Sequence, residues 1–364
     1  MKVINIVGAR PNFVKIAPIM EAYKAYPDIE PLLVHTGQHY DKKMSESFFD
    51  VLGIPTPDIH LGVGSGTHAT QTAAIMTAFE PIVLEHKPDV VLVVGDVNST
   101  VACSLVATKL HVPVVHVEAG LRSHDREMPE EINRVVVDAI SSMLFVTEQS
   151  GLDNLKKEGV ADEKVEFTGN VMIDTLLKQK PKLANLTTLE DVGVAPRSYG
   201  LLTLHRPSNV DHPETFARIL TALEEIQQDI PLLFPMHPRT RKNMESNQFG
   251  ERIKAMTNLR LLDPLDYLNF MHLMSEAKVV LTDSGGIQEE TTQLKVPCIT
   301  IRENTERPST CEIGSNQLVG TQTQAILDAY NNVKNETLPE PQIPPLWDGK
   351  AAERIVAALH KRFA

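Results

Sequence analysis

Cysteine is scarce in this chain of 364 residues, and no apolar run approaches the ~20 residues that cross a bilayer. Cys103, Cys298 and Cys311 are few, odd in number and widely spaced, which argues against a disulfide framework or a zinc site. The sequence opens on a predicted strand rather than on a charged and apolar leader. We therefore expect a cytoplasmic protein without a transmembrane segment.

Positive charge is also in short supply, because 35 basic residues face 47 acidic ones and the formal net charge is −12. Such a molecule repels the phosphate backbone, so we expect no nucleic-acid partner. A small anion is not excluded, since a few arginines and a helix N-terminus can hold a nucleotide locally. The loop after the first strand, GARPNFVK, is neither GxGxxG nor a Walker loop and predicts no dinucleotide or ATP site.

Short β-branched runs alternate with helical spacing throughout the chain. Runs that are apolar on both faces are typical of parallel strands covered by helices. They form two series, and each is long enough for its own sheet. The predicted fold is therefore α/β, with two Rossmann-like doubly wound parallel-sheet domains around an interdomain cleft. The runs are 3–7, 32–35, 90–94, 114–117 and 144–147, then 200–204, 232–235, 259–262, 279–282 and 298–301.

Polar, proline-bearing stretches suggest where the domains divide. We assign residues 1–170 to the first domain and 171–347 to the second, with the boundary near Gly169 and Asn170. Apolar spacing in 348–364 predicts a helix that packs back onto the first domain.

Three carboxylates follow strands of the first series, and ligands of open α/β sheets bind at the carboxyl ends of strands. Crowded carboxylates raise one another's pKa and neighbouring cations lower it, so one acid and one base can coexist at neutral pH. A divalent metal is the weaker interpretation, because the interspersed cations would repel it. The carboxylates are Asp96, Glu118 and Glu130, and the cations are Arg10, Lys15 and Arg122.

Structural alternatives accompany these assignments. Asp96 has the position of a helix cap. Glu130 and Arg134 stand four residues apart on a predicted helix and are expected to pair. An exposed ion pair of this kind stabilises a helix by only ~0.3–0.5 kcal/mol.

The second half carries signals for anion binding. His205-Arg206 and His237-Pro-Arg239 follow successive strands, and such pairs favour an anion site. Ser284-Gly285-Gly286 lies between a strand and a helix, where glycines let phosphate approach backbone amides. Glu290, one turn on, is a candidate acceptor for ribose hydroxyls, whereas Glu289 fits a solvated helix face. Phe270 is either core or a neighbour of a nucleobase.

Together the motifs identify a resemblance. The chain resembles the non-hydrolysing UDP-N-acetylglucosamine 2-epimerases over nearly its full length, although Asn12 stands where many members have Glu. The motifs are GARPNFVKIAP, TGQHYD, GDVNST, HVEAGLRS with MPEEINR, TLHRPSN, DSGGIQEE and TERP.

The resemblance implies a glycosyltransferase-B-like fold, a homodimer and a role in cell-envelope polysaccharide synthesis. It implies interconversion of UDP-N-acetylglucosamine and UDP-N-acetylmannosamine through elimination and re-addition of UDP, without cofactor or metal. The implied catalytic or substrate-cleft positions are Arg10, Lys15, Asp96, Glu118, Glu130, Arg134 and His205. The implied uridine and diphosphate positions are Phe270, Ser284, Gly285, Gly286, Glu290 and Arg307.

Other functions share these features. The alternatives are an epimerase of another UDP-2-acetamido sugar such as a diacetamido-uronic acid, a hydrolysing epimerase, a retaining glycosyltransferase and a non-catalytic UDP-sugar sensor. The carboxylate-rich first domain favours proton chemistry over acceptor binding, and a sensor would not need the proton-transfer set.

Overall fold

The computed structural model describes residues 1–37, 52–236 and 249–364, apart from the side chain of Arg10. The chain divides into two compact units. Unit 1 comprises Met1–Lys178 and Pro345–Ala364, and unit 2 comprises Gln179–Pro344.

Unit 1 is built on a seven-stranded parallel sheet in the order β3-β2-β1-β4-β5-β6-β7. The strand order reverses between β1 and β4, which is the pattern of a doubly wound sheet. The central run VVLVV is buried at every position because both faces of the sheet are covered. The strands are β1 (Lys2–Val7), β2 (Glu30–His35), β3 (Ile59–His60), β4 (Val90–Val94), β5 (Val114–Ala119), β6 (Met143–Val146) and β7 (Val165–Phe167).

Helices follow the strands of unit 1 in the described part of the chain. Phe79 and Val83 of the second helix pack with Val91 and Val93 of β4 in one apolar cluster. The helices are α1 (Arg10–Ala22), α2 (His68–His86), α3 (Asn98–Lys109), α4 (Pro129–Ile140), α5 (Gln149–Lys157) and α6 (Val171–Gln179), with short 3₁₀ turns at Tyr23–Ala25 and Asp162–Lys164.

Unit 2 repeats the design with a six-stranded parallel sheet in the order β10-β9-β8-β11-β12-β13, which reverses between β8 and β11. Its strands are β8 (Gly200–Thr203), β9 (Leu232–Pro235), β10 (Leu259–Leu262), β11 (Val279–Thr282), β12 (Cys298–Thr300) and β13 (Asn316–Leu318). The two parallel sheets confirm the predicted α/β class.

The helices of unit 2 enclose a large apolar cluster that includes Phe216, Phe234 and Tyr330. After a 3₁₀ segment at Lys180–Asn185, the helices in the described part of unit 2 are α7 (Thr188–Val192), α8 (Pro207–Val210), α9 (Pro213–Asp229), α10 (Gly250–Ala255), α11 (Tyr267–Ser275), α12 (Gly285–Leu294), α13 (Ser309–Glu312) and α14 (Thr323–Lys334).

The chain returns to unit 1 for its last helix, α15 (Ala351–Phe363). The indole of Trp347, which is buried, donates to the carbonyl of Thr147 at 2.9 Å. A Cβ at Gly169 would lie 2.1 Å from the Leu346 carbonyl oxygen, so only glycine allows this approach. The hydroxyl of Thr175 on α6 donates to the Val14 carbonyl at 2.6 Å. Helix α6 therefore belongs to unit 1, and the units divide after Lys178, beyond the boundary suggested by the sequence.

Asp174 of α6 caps the last helix, since its carboxylate accepts the Ala351 and Ala352 amides at 3.1 and 2.7 Å. Burial outweighs these bonds and raises the pKa of Asp174 to about 6.

A buried carboxyl with a raised pKa stabilises the fold at low pH and loses that contribution as pH rises from its unfolded pKa to about 6. Asp174→Asn keeps an oxygen for the cap and removes this titration. Across pH 4 to 7, the free energy of unfolding of the variant should therefore improve relative to wild type by about 3 kcal/mol at most. Urea unfolding at several pH values measures this difference, and a difference that stays constant with pH would contradict the assignment.

Candidate active site

Charged side chains gather at the carboxyl edge of each sheet, around the points where the strand order reverses. Such points form crevices in which open α/β sheets bind ligands. In unit 1 the side chains come from α1 and from the loops after β4 and β5. In unit 2 they come from the loops after β8, β11 and β12.

Glu118 has a left-handed backbone conformation, with φ of 70°, although it lies inside β5. The pairing register with β6 shifts between Val117 and Ala119, so an irregularity surrounds this residue. A glutamate in this region costs roughly 1–3 kcal/mol, and such outliers cluster at functional sites. The irregularity also re-aims the side chain relative to a regular strand.

The carboxylate of Glu118 forms a buried ion pair with the ammonium of Lys15 on α1, through Oε2. Both side chains are less than one-tenth exposed. The other oxygen, Oε1, is also buried and has no hydrogen-bond partner among the residues described. A buried carboxylate oxygen without a partner is costly unless a ligand or a proton uses it.

Gly95, which follows β4, lies directly against this pair. It has φ of 68°, and a Cβ there would lie 3.0 Å from Lys15 Nζ and 3.5 Å from Glu118 Oε2. Asn12 fixes the same loop, because its amide donates to the Val94 carbonyl at 3.1 Å and accepts the Ala9 amide at 3.0 Å. A glutamate at position 12 would have no N–H for the Val94 carbonyl.

Arg134 is shared between two carboxylates. It donates to Asp96 Oδ2 at 2.5 Å and to Glu131 Oε2 at 2.7 Å. The predicted pairing of Arg134 with Glu130 is therefore wrong. Glu130 is half-buried, and no hydrogen bond or ion pair of its side chain is found within the described ranges.

Of the neighbouring Glu130 and Glu131, Glu131 is the one that holds the loop before α4 in place. It accepts the Ser123 and His124 amides at 2.9 and 3.0 Å. Burial raises its pKa, but the Ser123 amide and the Arg134 guanidinium outweigh burial and lower it overall. Arg134 thus ties Asp96 to the loop that Glu131 closes.

A further buried network beneath this edge was missed by sequence reasoning. It contains His116, Asp138 and Arg122, all at most 4 % exposed. Asp138 lies 2.6 Å from His116 Nδ1 and 2.7 Å from Arg122 NH1. The signal was available, because His116 is the one ionisable residue in the run 114–117, whose other residues are valines.

In unit 2, His205 and Asp283 form an oriented pair. The His205 Nδ1 lies 2.9 Å from Asp283 Oδ1, and Asp283 also accepts the His205 and Arg206 amides at 3.0 and 2.9 Å. Burial opposes ionisation of Asp283, but the contacts with His205 outweigh it and lower the pKa of the carboxyl. Since 46 % of the His205 side chain is exposed, its Nε2 is accessible to a ligand.

Helix α12 begins at this edge with two glycines. Ser284 is the N-cap residue, but its hydroxyl makes no capping hydrogen bond. The amides of a first helical turn, here Gly285 and Gly286, have no partner inside the helix and carry its positive dipole end. A Cβ at Gly285 would lie 2.6 Å from Arg307 NH1, so this guanidinium stands at the start of the helix.

Arg307 is buried and doubly paired. Its Nε lies 2.9 Å from Glu289 Oε1, and its NH1 bonds Glu306, which also pairs with Arg302 at 2.8 Å. Glu289 is fully buried, so the interpretation of Glu289 as a solvated residue is wrong. Two buried cations, Arg302 and Arg307, therefore balance the two buried carboxylates, Glu289 and Glu306.

Glu290 accepts a hydrogen bond from the Tyr267 hydroxyl at 3.0 Å. Burial raises the pKa of Glu290 to about 7, although the Tyr267 bond lowers it. Phe270, on the same helix as Tyr267, is half-buried.

Three sequence signals lie outside the described residues: the Arg10 side chain, the His237-Pro-Arg239 segment and most of TGQHYD. In the part that the structure describes, no group of three or more His, Cys, Asp or Glu side chains is placed to hold a metal. No described helix is long and apolar enough to cross a membrane.

Parallel sheets with polar carboxyl edges define a Rossmann-like α/β protein. A family model described as UDP-N-acetylglucosamine 2-epimerase matches residues 21–360. The chain belongs to that family.

Known relatives match over nearly their whole length. The UDP-N-acetylglucosamine 2-epimerase of Methanocaldococcus jannaschii is 42% identical over 364 residues, which cover 99% of each chain. A crystal structure of the M. jannaschii enzyme in complex with UDP-GlcNAc and UDP is 41% identical, with a TM-score of 0.92 over 99% of this chain and 100% of that one. The UDP-2,3-diacetamido-2,3-dideoxy-D-glucuronate 2-epimerase of Pseudomonas aeruginosa is 39% identical over 366 residues, covering 99% of this chain and 100% of the relative.

Removal of the Arg307 guanidinium should destabilise the fold, because it leaves the buried Glu289 without this cation and leaves Glu306 with Arg302 alone. We expect Arg307→Ala to lower the free energy of unfolding by ~3–5 kcal/mol. Arg252→Ala is the matched control. Arg252 pairs with Glu224 where both side chains are about one-third exposed, and its loss should cost at most ~1 kcal/mol. Urea unfolding compares the two, and equal small losses would refute a stabilising role for the buried network.

Proposed function

We propose that this chain catalyses the reversible C2 epimerisation of UDP-N-acetylglucosamine to UDP-N-acetylmannosamine. A base removes the C2 proton, and the electron pair of the broken C2–H bond forms a C1=C2 bond. The C1–O bond breaks at the same time, and its electrons leave with UDP. Re-addition of UDP and return of a proton to the opposite face of C2 give the epimer. The sequence is redox-neutral and consumes no water.

The buried Glu118 carboxylate, with one oxygen on Lys15 and the other without a partner among the residues described, is the observation that carries this proposal. A sugar C2–H is a very weak acid, so its removal needs a base held in position. We assign proton transfer to Glu118, Asp96 and Glu130. Arg134 holds Asp96, and Lys15 holds Glu118 through their buried ion pair.

We assign UDP to the carboxyl edge of unit 2. The Gly285 and Gly286 amides, the Ser284 hydroxyl and His205 Nε2 are donors for the departing diphosphate. Glu290 accepts from the ribose, and Phe270 lies beside the base. We also assign Arg10 to substrate binding. Arg307, at the start of α12, is assigned to binding of the diphosphate. We further propose, from the family resemblance, that the protein acts as a homodimer in the cytoplasm.

A diacetamido-uronic acid UDP-sugar is the second candidate substrate. The P. aeruginosa relative, named for that substrate, favours it. The elimination is the same for both sugars, so the proton-transfer assignments do not distinguish them. Parallel reactions with each UDP-sugar distinguish the two substrates.

Incubation with UDP-N-acetylglucosamine in D₂O, followed by NMR, tests the reaction directly. The expected product is UDP-N-acetylmannosamine with deuterium at C2. Free N-acetylmannosamine with UDP would indicate a hydrolysing enzyme. Binding without exchange would indicate a sensor, and exchange only in the diacetamido-uronate would establish the alternative substrate.

Glu118→Gln should lower the rate of C2 exchange by roughly 10²–10⁴-fold, because the amide is not a base. Its affinity for UDP should stay at the wild-type value, since UDP is assigned to unit 2. Glu127→Gln, on an exposed position before α4, is the matched control and should exchange normally. Exchange at the wild-type rate in Glu118→Gln would remove Glu118 from the proton-transfer roles.

The titration of Glu290 predicts a pH dependence of nucleotide-sugar binding. Ribose hydroxyls donate to the ionised carboxylate, so binding is strongest above about pH 7 and weakens as pH falls through that value. Between pH 8 and pH 6, the Kd of UDP-N-acetylglucosamine should rise about fivefold. Calorimetry on the Glu118→Gln variant avoids turnover. Adding Glu290→Gln should flatten the profile, and an unchanged slope would show that another group titrates.

A further inference from the structure

His116 has an acceptor at each ring nitrogen. Nδ1 lies 2.6 Å from Asp138 Oδ1, and Nε2 lies 2.9 Å from the Gly95 carbonyl oxygen. An ionised carboxylate and a carbonyl only accept hydrogen bonds, so both ring nitrogens donate. The ring is fully buried inside β5, which holds these two bonds in a fixed direction.

Asp138 tethers the chain on both sides of Glu118. Its Oδ1 accepts from His116, two residues earlier, and its Oδ2 accepts the Gly120 amide, two residues later, at 2.9 Å. Arg122 also contacts Asp138 at 2.7 Å and makes two bonds to Glu158 at 2.8 and 2.7 Å. Arg122 thus links the buried Asp138 to Glu158, which is exposed.

These tethers act where the backbone is least free. Glu118 and Gly120 have φ of 70° and 80°, and a Cβ at Gly120 would lie 2.5 Å from the Gly151 carbonyl oxygen. The His116 bond holds the carbonyl of Gly95, the residue that packs against Lys15 Nζ. One histidine and one aspartate therefore fix both the turn that carries Glu118 and the loop beneath its ion pair.

We propose that His116 and Asp138 are positioning residues for proton transfer at C2, because they hold Gly95 and the left-handed turn so that Glu118 stays beside Lys15. Neither residue contacts substrate in this scheme. The inference rests on the proposed function, since it assigns Glu118 to proton transfer.

Two substitutions of His116 separate its two bonds. The amide nitrogen of Gln occupies the position of Nε2 and keeps the bond to Gly95, whereas that of Asn occupies the position of Nδ1 and keeps only the contact with Asp138. For His116→Asn we expect kcat of C2 exchange to fall about 10²-fold, with KM within about twofold of wild type. For His116→Gln the fall in kcat should stay below about tenfold.

His111→Asn, on an exposed position that also has a left-handed backbone, is the matched control and should react as wild type does. Thermal unfolding of each variant is recorded beside the kinetics. A purely structural role predicts that kcat and Tm fall together and equally in the Asn and Gln variants, and that result would overturn the proposal.

Asp138→Asn gives a test that does not depend on the folding of His116→Asn. The side-chain oxygen of the new Asn still accepts the Gly120 amide, and its NH₂ donates to the Nδ1 of a neutral His116. The Nε2–H of His116 still donates to the Gly95 carbonyl. We expect kcat within about tenfold of wild type. A hundredfold fall in a folded Asp138→Asn would show that charge matters rather than the tether, which overturns the proposal. An inactive wild type would instead refute the proposed function.

Discussion

The ion pair between Lys15 and Glu118 requires a left-handed residue inside a parallel strand. A regular strand alternates its side chains between the two faces of the sheet, and the register shift beside Glu118 releases this carboxylate from that alternation. The strain of about 1–3 kcal/mol persists only where the surroundings over-determine the conformation. Gly95 and Gly120, each without a Cβ at a crowded point, supply that space, and the network of Asp138 supplies the bonds.

The charged groups at the carboxyl edges of the two sheets are arranged differently in the two units. In unit 1, the carboxylate of Glu118 is paired with a buried ammonium, that of Lys15. In unit 2, the cation at the start of α12 is already neutralised by Glu289 and Glu306, so neutral backbone amides remain as donors toward an anion. In the proposed function, this arrangement lets a chain with a net charge of −12 hold the diphosphate without an excess of arginine.

The sequence predicted both sheets and the loops that carry the charged residues, because apolar runs and strand ends are local features. It did not predict which charges pair. Helical spacing brings Arg134 near both Glu130 and Glu131. Its guanidinium bonds Glu131 and also Asp96, which comes from another loop that the helical spacing does not reveal. Glu289 and Glu290 looked different in the sequence but are both buried, since Arg307 and Tyr267 reach them from distant segments. No local pattern encodes such neighbours.

The return of the last helix to unit 1 has a consequence for the order of folding during synthesis. All of unit 2 is translated before α15, so the second sheet can close on the ribosome while the first still lacks the helix capped by Asp174 and the indole of Trp347. Domains usually fold in the order in which they emerge. In this nascent chain the domain begun first is the one finished last.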